Sequence, residues 1–105
     1  SNAKLAALGP EGRGTVTKEM QDLFIRLAAL RGEAPESEAV QNAMDDMFHY
    51  FNQTFGNLYT PEAFAGLGQM YVADERFTQN IDRYGEGLSA FLARAMGEYA
   101  RRKSA

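Results

Sequence analysis

The sequence predicts an all-α fold, and three observations carry that expectation. From Thr15 onward the apolar residues recur at steps of three and four, and no window shows the two-residue alternation of a half-buried strand. Ser, Thr or Asp stands ahead of the periodic stretches, and Gly or Gly-Asn follows several of them, as at helix starts and stops. The 105 residues are 45% hydrophobic and 24% charged, the balance of one ordinary folded domain.

The elements follow in order. Ser1-Asn2-Ala3 reads as the remnant of an expression tag. Residues 4–14, with Gly9, Pro10, Gly12 and Gly14 and no sustained apolar period, read as a flexible lead-in to a single helical domain over residues 15–103. The first helix is expected from Thr15 or Thr17, one of them the N-cap, to Arg31, with Gly32 just past its end; its stripe is Val16, Met20, Leu23, Phe24, Leu27 and Ala28. Pro35 and Ser37 open a second helix striped by Val40, Met44, Met47, Phe48, Phe51 and Phe55 and closed by Gly56-Asn57. Thr60-Pro61-Glu62 is an N-cap, a first-turn proline and a first-turn acid, so a third helix runs from there to about Ala73. Asp74 caps a short fourth helix with Phe77, Ile81 and Tyr84 inward and Gly85 as its stop. Leu88, Phe91, Leu92, Ala95, Met96 and Tyr99 stripe a fifth helix that ends in Arg101-Arg102-Lys103, cations suited to a helix C-terminus.

Composition narrows the function. A net charge of −3 without a basic block argues against nucleic-acid binding by these residues themselves. Zero Cys and one His leave no thiolate and no cysteine or multi-histidine metal site, so neither a metal nor another cofactor is expected. His49 falls on the polar side of its helix. Asp45 and Asp46 are adjacent and point apart, so they read as solvating charges rather than a catalytic pair. Gly85-Glu86-Gly87 lacks the strand and spacing of a phosphate loop. No enzyme chemistry is expected, and no apolar run reaches the roughly 18–20 residues of a membrane span.

The third helix is the informative one. From Ala63 to Ala73 it carries no charge, with Phe64, Leu67, Gly68 and Tyr71 on one face and Ala63, Gly66, Met70 and Ala73 opposite. A small bundle readily covers one such face, and the other is left for the core, a partner or a ligand. Gly66 and Gly68 suggest that a neighbour approaches the helix backbone closely. Tyr50, Tyr59 and Tyr99 are less well explained by the core stripes, and Tyr50 and Tyr59 are candidates to meet a ligand. In the stretch after the helix, Asp74, Arg76 and Asp82 are expected to brace the corner by charge-assisted hydrogen bonds, while Phe77 plugs the core.

The residues Met70-Tyr71-Val72-Ala73-Asp74-Glu75-Arg76-Phe77-Thr78, Asn80-Ile81-Asp82 and Gly87-Leu88 form a specific pattern. It resembles the TipAS antibiotic-recognition domain, the effector domain of TipA-like MerR-family transcription regulators, with similarity also to their SkgA branch. The resemblance covers about residues 15–100. It implies a globin-like helical arrangement in a cytoplasmic activator, with a cleft for a bulky, hydrophobic or peptide-like antibiotic. It further implies a homodimer, DNA binding through an N-terminal domain absent from this sequence, and a mobile helical lid preceding the first helix. In the thiopeptide-binding member a cysteine of the third helix bonds the drug covalently; the matching position here is Gly66, which implies reversible binding. Tyr59, Ala63, Gly66, Met70 and Tyr50 are the candidate cleft residues. The alternative is a protein–protein interaction or dimerisation module that uses the apolar third helix.

Overall fold

The computed structural model describes residues 9–104, which form five helices: α1 (Gly9–Leu30), α2 (Glu38–Phe55), α3 (Pro61–Ala73), α4 (Glu75–Asp82) and α5 (Leu88–Ser104). No strand occurs among the described residues. α1 begins earlier than the sequence suggests. Gly9 takes a left-handed φ of 74°, Pro10 supplies a preset helical φ, and Glu11 complements the first turn. Thr15 and Thr17 are not caps: their hydroxyls bond back to the carbonyls of Glu11 and Arg13, four residues earlier, at 3.2 and 3.0 Å. Residues 9–14 of the expected lead-in are therefore helical; residues 4–8 and the Ser1–Ala3 tag remnant lie outside the described residues.

The other boundaries follow local chemistry. Ser37 accepts from the Val40 N–H, Thr60 from the Ala63 N–H at 3.1 Å, and Asp74 from the Arg76 N–H at 2.9 Å. Gly56 ends α2 in the left-handed region at φ 92°, and its N–H and that of Asn57 both reach the Asn52 carbonyl. Asn52 then holds the next loop with its carboxamide, accepting from the Tyr59 N–H at 2.8 Å and donating to the Tyr59 carbonyl at 3.0 Å.

α3 lies along α5, the most extensive helix pair, and the core fills the space among α2, α3 and α5. Phe48, Phe64 and Tyr99 form a ring triangle with centroids 5.4–5.5 Å apart, and Phe64 is fully buried. Leu27, Val40, Met44, Met47, Leu88, Leu92 and Met96 complete a core without accessible surface. α1 joins through its C-terminal half, where its buried residues Phe24, Leu27 and Ala28 lie.

Two expectations for the corner after α3 are corrected. Phe77 does not plug the core: it remains 38% exposed, resting against Tyr71 at 6.4 Å, and Ile81 takes the inward position of this two-turn helix. Arg76 does brace the turn through Asp74, at 2.9 Å, but Asp82 takes no part. Its carboxylate instead accepts from the Ser89 N–H at 2.8 Å, in the first turn of α5. The corner is tied from within by Thr78, whose hydroxyl donates to the Tyr71 carbonyl at 2.5 Å.

Candidate functional site

α3 presents the two faces that its sequence describes. Phe64, Gly68 and Tyr71 are buried, whereas Ala63, Gly66, Met70 and Ala73 are exposed. The two interior glycines differ sharply. A Cβ at Gly68 would stand 3.2 Å from Ala93 Cα and 3.1 Å from Met96 Sδ, so this glycine lets α5 approach; at Gly66 nothing lies within 4 Å. Gly66 is thus open surface, and the close approach expected at both positions occurs at Gly68 alone.

The five candidate cleft residues fall into separate settings. Ala63, Gly66 and Met70 share the outward face of α3. Tyr59 precedes that helix with its ring 5.9 Å from Phe51 and its backbone held by Asn52. Tyr59 also lies near the buried Tyr71 hydroxyl, whose pKa is raised first by burial and then by Tyr59. Tyr50 turns toward α1, where its hydroxyl donates to Glu19 at 3.4 Å in a concavity of about 330 Å³ shared with Leu23, Arg26 and Asp46. Burial foremost raises the Tyr50 pKa.

A concave apolar site lies elsewhere, between α1 and α4. Met20, Phe24, Ile81 and Tyr84 form its walls, with Thr17, Gln21, Asn80 and Arg83 supplying polar groups, around a cavity of about 390 Å³. Phe24 and Tyr84 stack with centroids 5.6 Å apart and planes 26° from parallel. The sequence assigns these apolar residues to core stripes. Periodicity identifies which face of a helix is apolar but not how fully the opposing helix closes against it.

Charge is organised at the other end of α5. Asp45, expected as a solvating acid, accepts a 2.5 Å hydrogen bond from the Tyr99 hydroxyl, while Asp46 pairs with Arg26 at 2.9 Å. Burial, then the bond to Asp45, pushes the Tyr99 pKa up. His49 is exposed, its Nδ1 2.8 Å from the Asp45 carbonyl. Among the described residues no three His, Asp or Glu side chains gather as a metal site requires, and no helix is long and apolar enough to cross a membrane.

The model of the TipAS antibiotic-recognition domain matches residues 1–99. The chain belongs to the TipAS family. This TipAS domain is 37% identical over 82 residues to the HTH-type transcriptional activator mta of Bacillus subtilis, covering 78% of the chain and 32% of that protein. It is 35% identical over 100 residues to the HTH-type transcriptional activator TipA of Streptomyces coelicolor, covering 91% of the chain and 38% of the relative. For the HTH-type transcriptional regulator SkgA of Caulobacter vibrioides the identity is 31% over 74 residues, covering 70% and 29%. The TipAS chain therefore spans less than two fifths of each of these relatives. No solved structure gives a significant match.

Proposed function

We propose that this TipAS domain is the C-terminal ligand-sensing part of a cytoplasmic, homodimeric MerR-type transcription activator and reversibly binds a bulky hydrophobic or peptide-like antibiotic. The observation that carries the reading is the family match over residues 1–99, joined to relatives named as HTH-type transcriptional activators. DNA contact belongs to a part of the regulator outside this sequence. The chain has no cysteine to form a thioether, and the ligand is held reversibly.

Two apolar surfaces support the reading. The α1–α4 groove offers the walls of Met20, Phe24, Ile81 and Tyr84, and the outward face of α3 offers Ala63, Gly66 and Met70, with Tyr59 half-buried in the loop before the helix. Each Å² of apolar ligand surface removed from water contributes roughly 25 cal/mol. Tyr59, ahead of α3, supplies a hydroxyl that orients a polar group of the ligand, whereas the Tyr50 hydroxyl is held by Glu19 and lies at neither surface. Binding favours one arrangement of the helices over another, and that difference in affinity is what shifts the DNA-binding half.

Calorimetric titration of the chain with a panel of hydrophobic peptide antibiotics tests the proposal. Saturable binding with a negative heat-capacity change is expected. The reading is overturned if no member binds and sedimentation shows a tight dimer that buries Ala63, Gly66 and Met70, the outcome of a pure interaction module.

A further inference from the structure

Gln41 and Asp45 stand four residues apart on α2, and Tyr99 and Lys103 four apart on α5, so packing these helices together brings the four side chains to one corner. Gln41 is only 8% exposed. Its Nε2 donates to the carbonyls of Pro35 at 2.8 Å and Ala95 at 3.1 Å, which fixes the carboxamide and leaves Oε1 as a buried acceptor without a partner. Beside it Asp45 holds the Tyr99 hydroxyl. The Lys103 ammonium lies 5.4 Å over the Tyr99 ring but 4.0 Å from the Asp45 carboxylate, beyond hydrogen-bond range, and its side chain is half exposed. Arg102, on the rim, is committed to Glu98 at 2.6 Å and to the Glu36 carbonyl at 2.8 Å. These residues and Asn42 enclose about 300 Å³.

A carboxylate and an aromatic face around one space, with an orphan carbonyl oxygen buried beside them, are the partners of an ammonium ion. Lys103 fills that role loosely, as a tethered cation that reaches the ring without hydrogen-bonding the carboxylate. We infer that this cavity binds a primary alkylammonium ligand, whose –NH3+ displaces Lys103 from the Tyr99 ring and donates to Asp45 and to Gln41 Oε1. The site shares no lining residue with the α1–α4 groove and does not depend on the ligand proposed above. Recognition is by charge and hydrogen bonding, so the uncharged alcohol of the same length is not a ligand.

The test is an NMR titration of the isotope-labelled 105-residue chain with n-hexylammonium and, separately, with n-hexanol. Saturable shifts centred on the Gln41 carboxamide, Asp45 and Tyr99 are expected with the amine alone. Lys103→Met, which removes the competing cation from an exposed last-turn position, tightens binding about threefold or more, and Asp45→Asn weakens it about tenfold. The Met variant keeps the test decisive even where Asp45→Asn disturbs the fold. Equal shifts with hexanol, no saturation by hexylammonium, or unchanged or weaker binding by Lys103→Met overturns the inference.

Discussion

Gly68 on α3 meets Ala93 on α5 so closely that an added Cβ would stand 3.2 Å from the Ala93 Cα, and that Cα belongs to a helix backbone unable to step aside alone. The glycine sets the distance of the most extensive helix pair in the protein. Gly66, half a turn away, sets nothing: its outward side is solvent.

The two positions therefore respond oppositely to the same methyl group. Gly66→Ala gains helix propensity of up to about 1 kcal/mol. Gly68→Ala gains the same propensity but overpacks the α3–α5 seam, at a cost of roughly 1–3 kcal/mol, and is destabilised on balance. Thermal unfolding separates them, since each 1 kcal/mol moves the midpoint by about 4–8 °C in a domain of this size. A loss of stability for Gly66→Ala contradicts its open position.

How much of this is legible in the sequence depends on the range of the interaction. Thr60, Pro61 and Asp74 fixed both ends of α3 because caps act within three residues of the backbone they satisfy. The start of α1 is not legible in the sequence because a Gly-Pro pair is ambiguous. It marks a loop by composition, yet places a permissive residue and a preset φ where a helix can begin. Phe77 and Asp82 depart from expectation for a different reason: a two-turn helix offers few inward positions, and Ile81 and the α5 amide of Ser89 claim the available roles. The Tyr99–Asp45 bond joins residues 54 apart, and the α1–α4 groove depends on where two helices fail to close. No local pattern encodes either.

Asn52 substitutes for a missing stretch of backbone pairing. Its carboxamide satisfies both the N–H and the carbonyl of Tyr59, closing the seven-residue path from α2 toward α3. Asn52→Ala leaves both half-buried groups unpaired and costs roughly 1–3 kcal/mol. Asn52→Asp retains an acceptor for the N–H but sets an anion against the Tyr59 carbonyl, so it does not restore stability. Chemical denaturation of the two variants reads the effect as a lower midpoint with an unchanged slope.

Glu98 gives stability a dependence on acid. Arg101 and Arg102 both donate to its carboxylate, at 2.6–2.8 Å, and hold its pKa down to about 2. A carboxylate with a lowered folded-state pKa stabilises the fold above its ordinary pKa of about 4.3, and this contribution is lost as the pH falls toward the folded value. Glu98→Gln should melt below the parent chain at neutral pH, and the difference should shrink through the window from about pH 4.3 to about pH 2. Solvent exposure of Arg101 keeps the effect modest and reduces it in high salt. A difference in melting that is constant across the window excludes this role.

The two apolar surfaces proposed for the ligand can be separated by adding bulk where the fold has room for it. Gly66 faces open space, so Gly66→Phe covers the outward side of α3 without striking the core. Thr17 is exposed on α1 and lines the α1–α4 groove, so Thr17→Phe fills the groove from its rim while Phe24, Ile81 and their neighbours stay in place. Neither change removes a buried contact, so both variants should melt within about 1 kcal/mol of the parent. If the antibiotic lies in the groove, Thr17→Phe abolishes uptake and Gly66→Phe leaves the affinity nearly unchanged; a ligand seated on α3 gives the reverse. A ligand large enough to span both surfaces is weakened by either change, and the double variant then loses more than either single one. Calorimetric titration of the four proteins with a hydrophobic peptide antibiotic that binds the parent makes the assignment. Unchanged affinity in both single variants, with the fold intact, removes both surfaces as ligand sites.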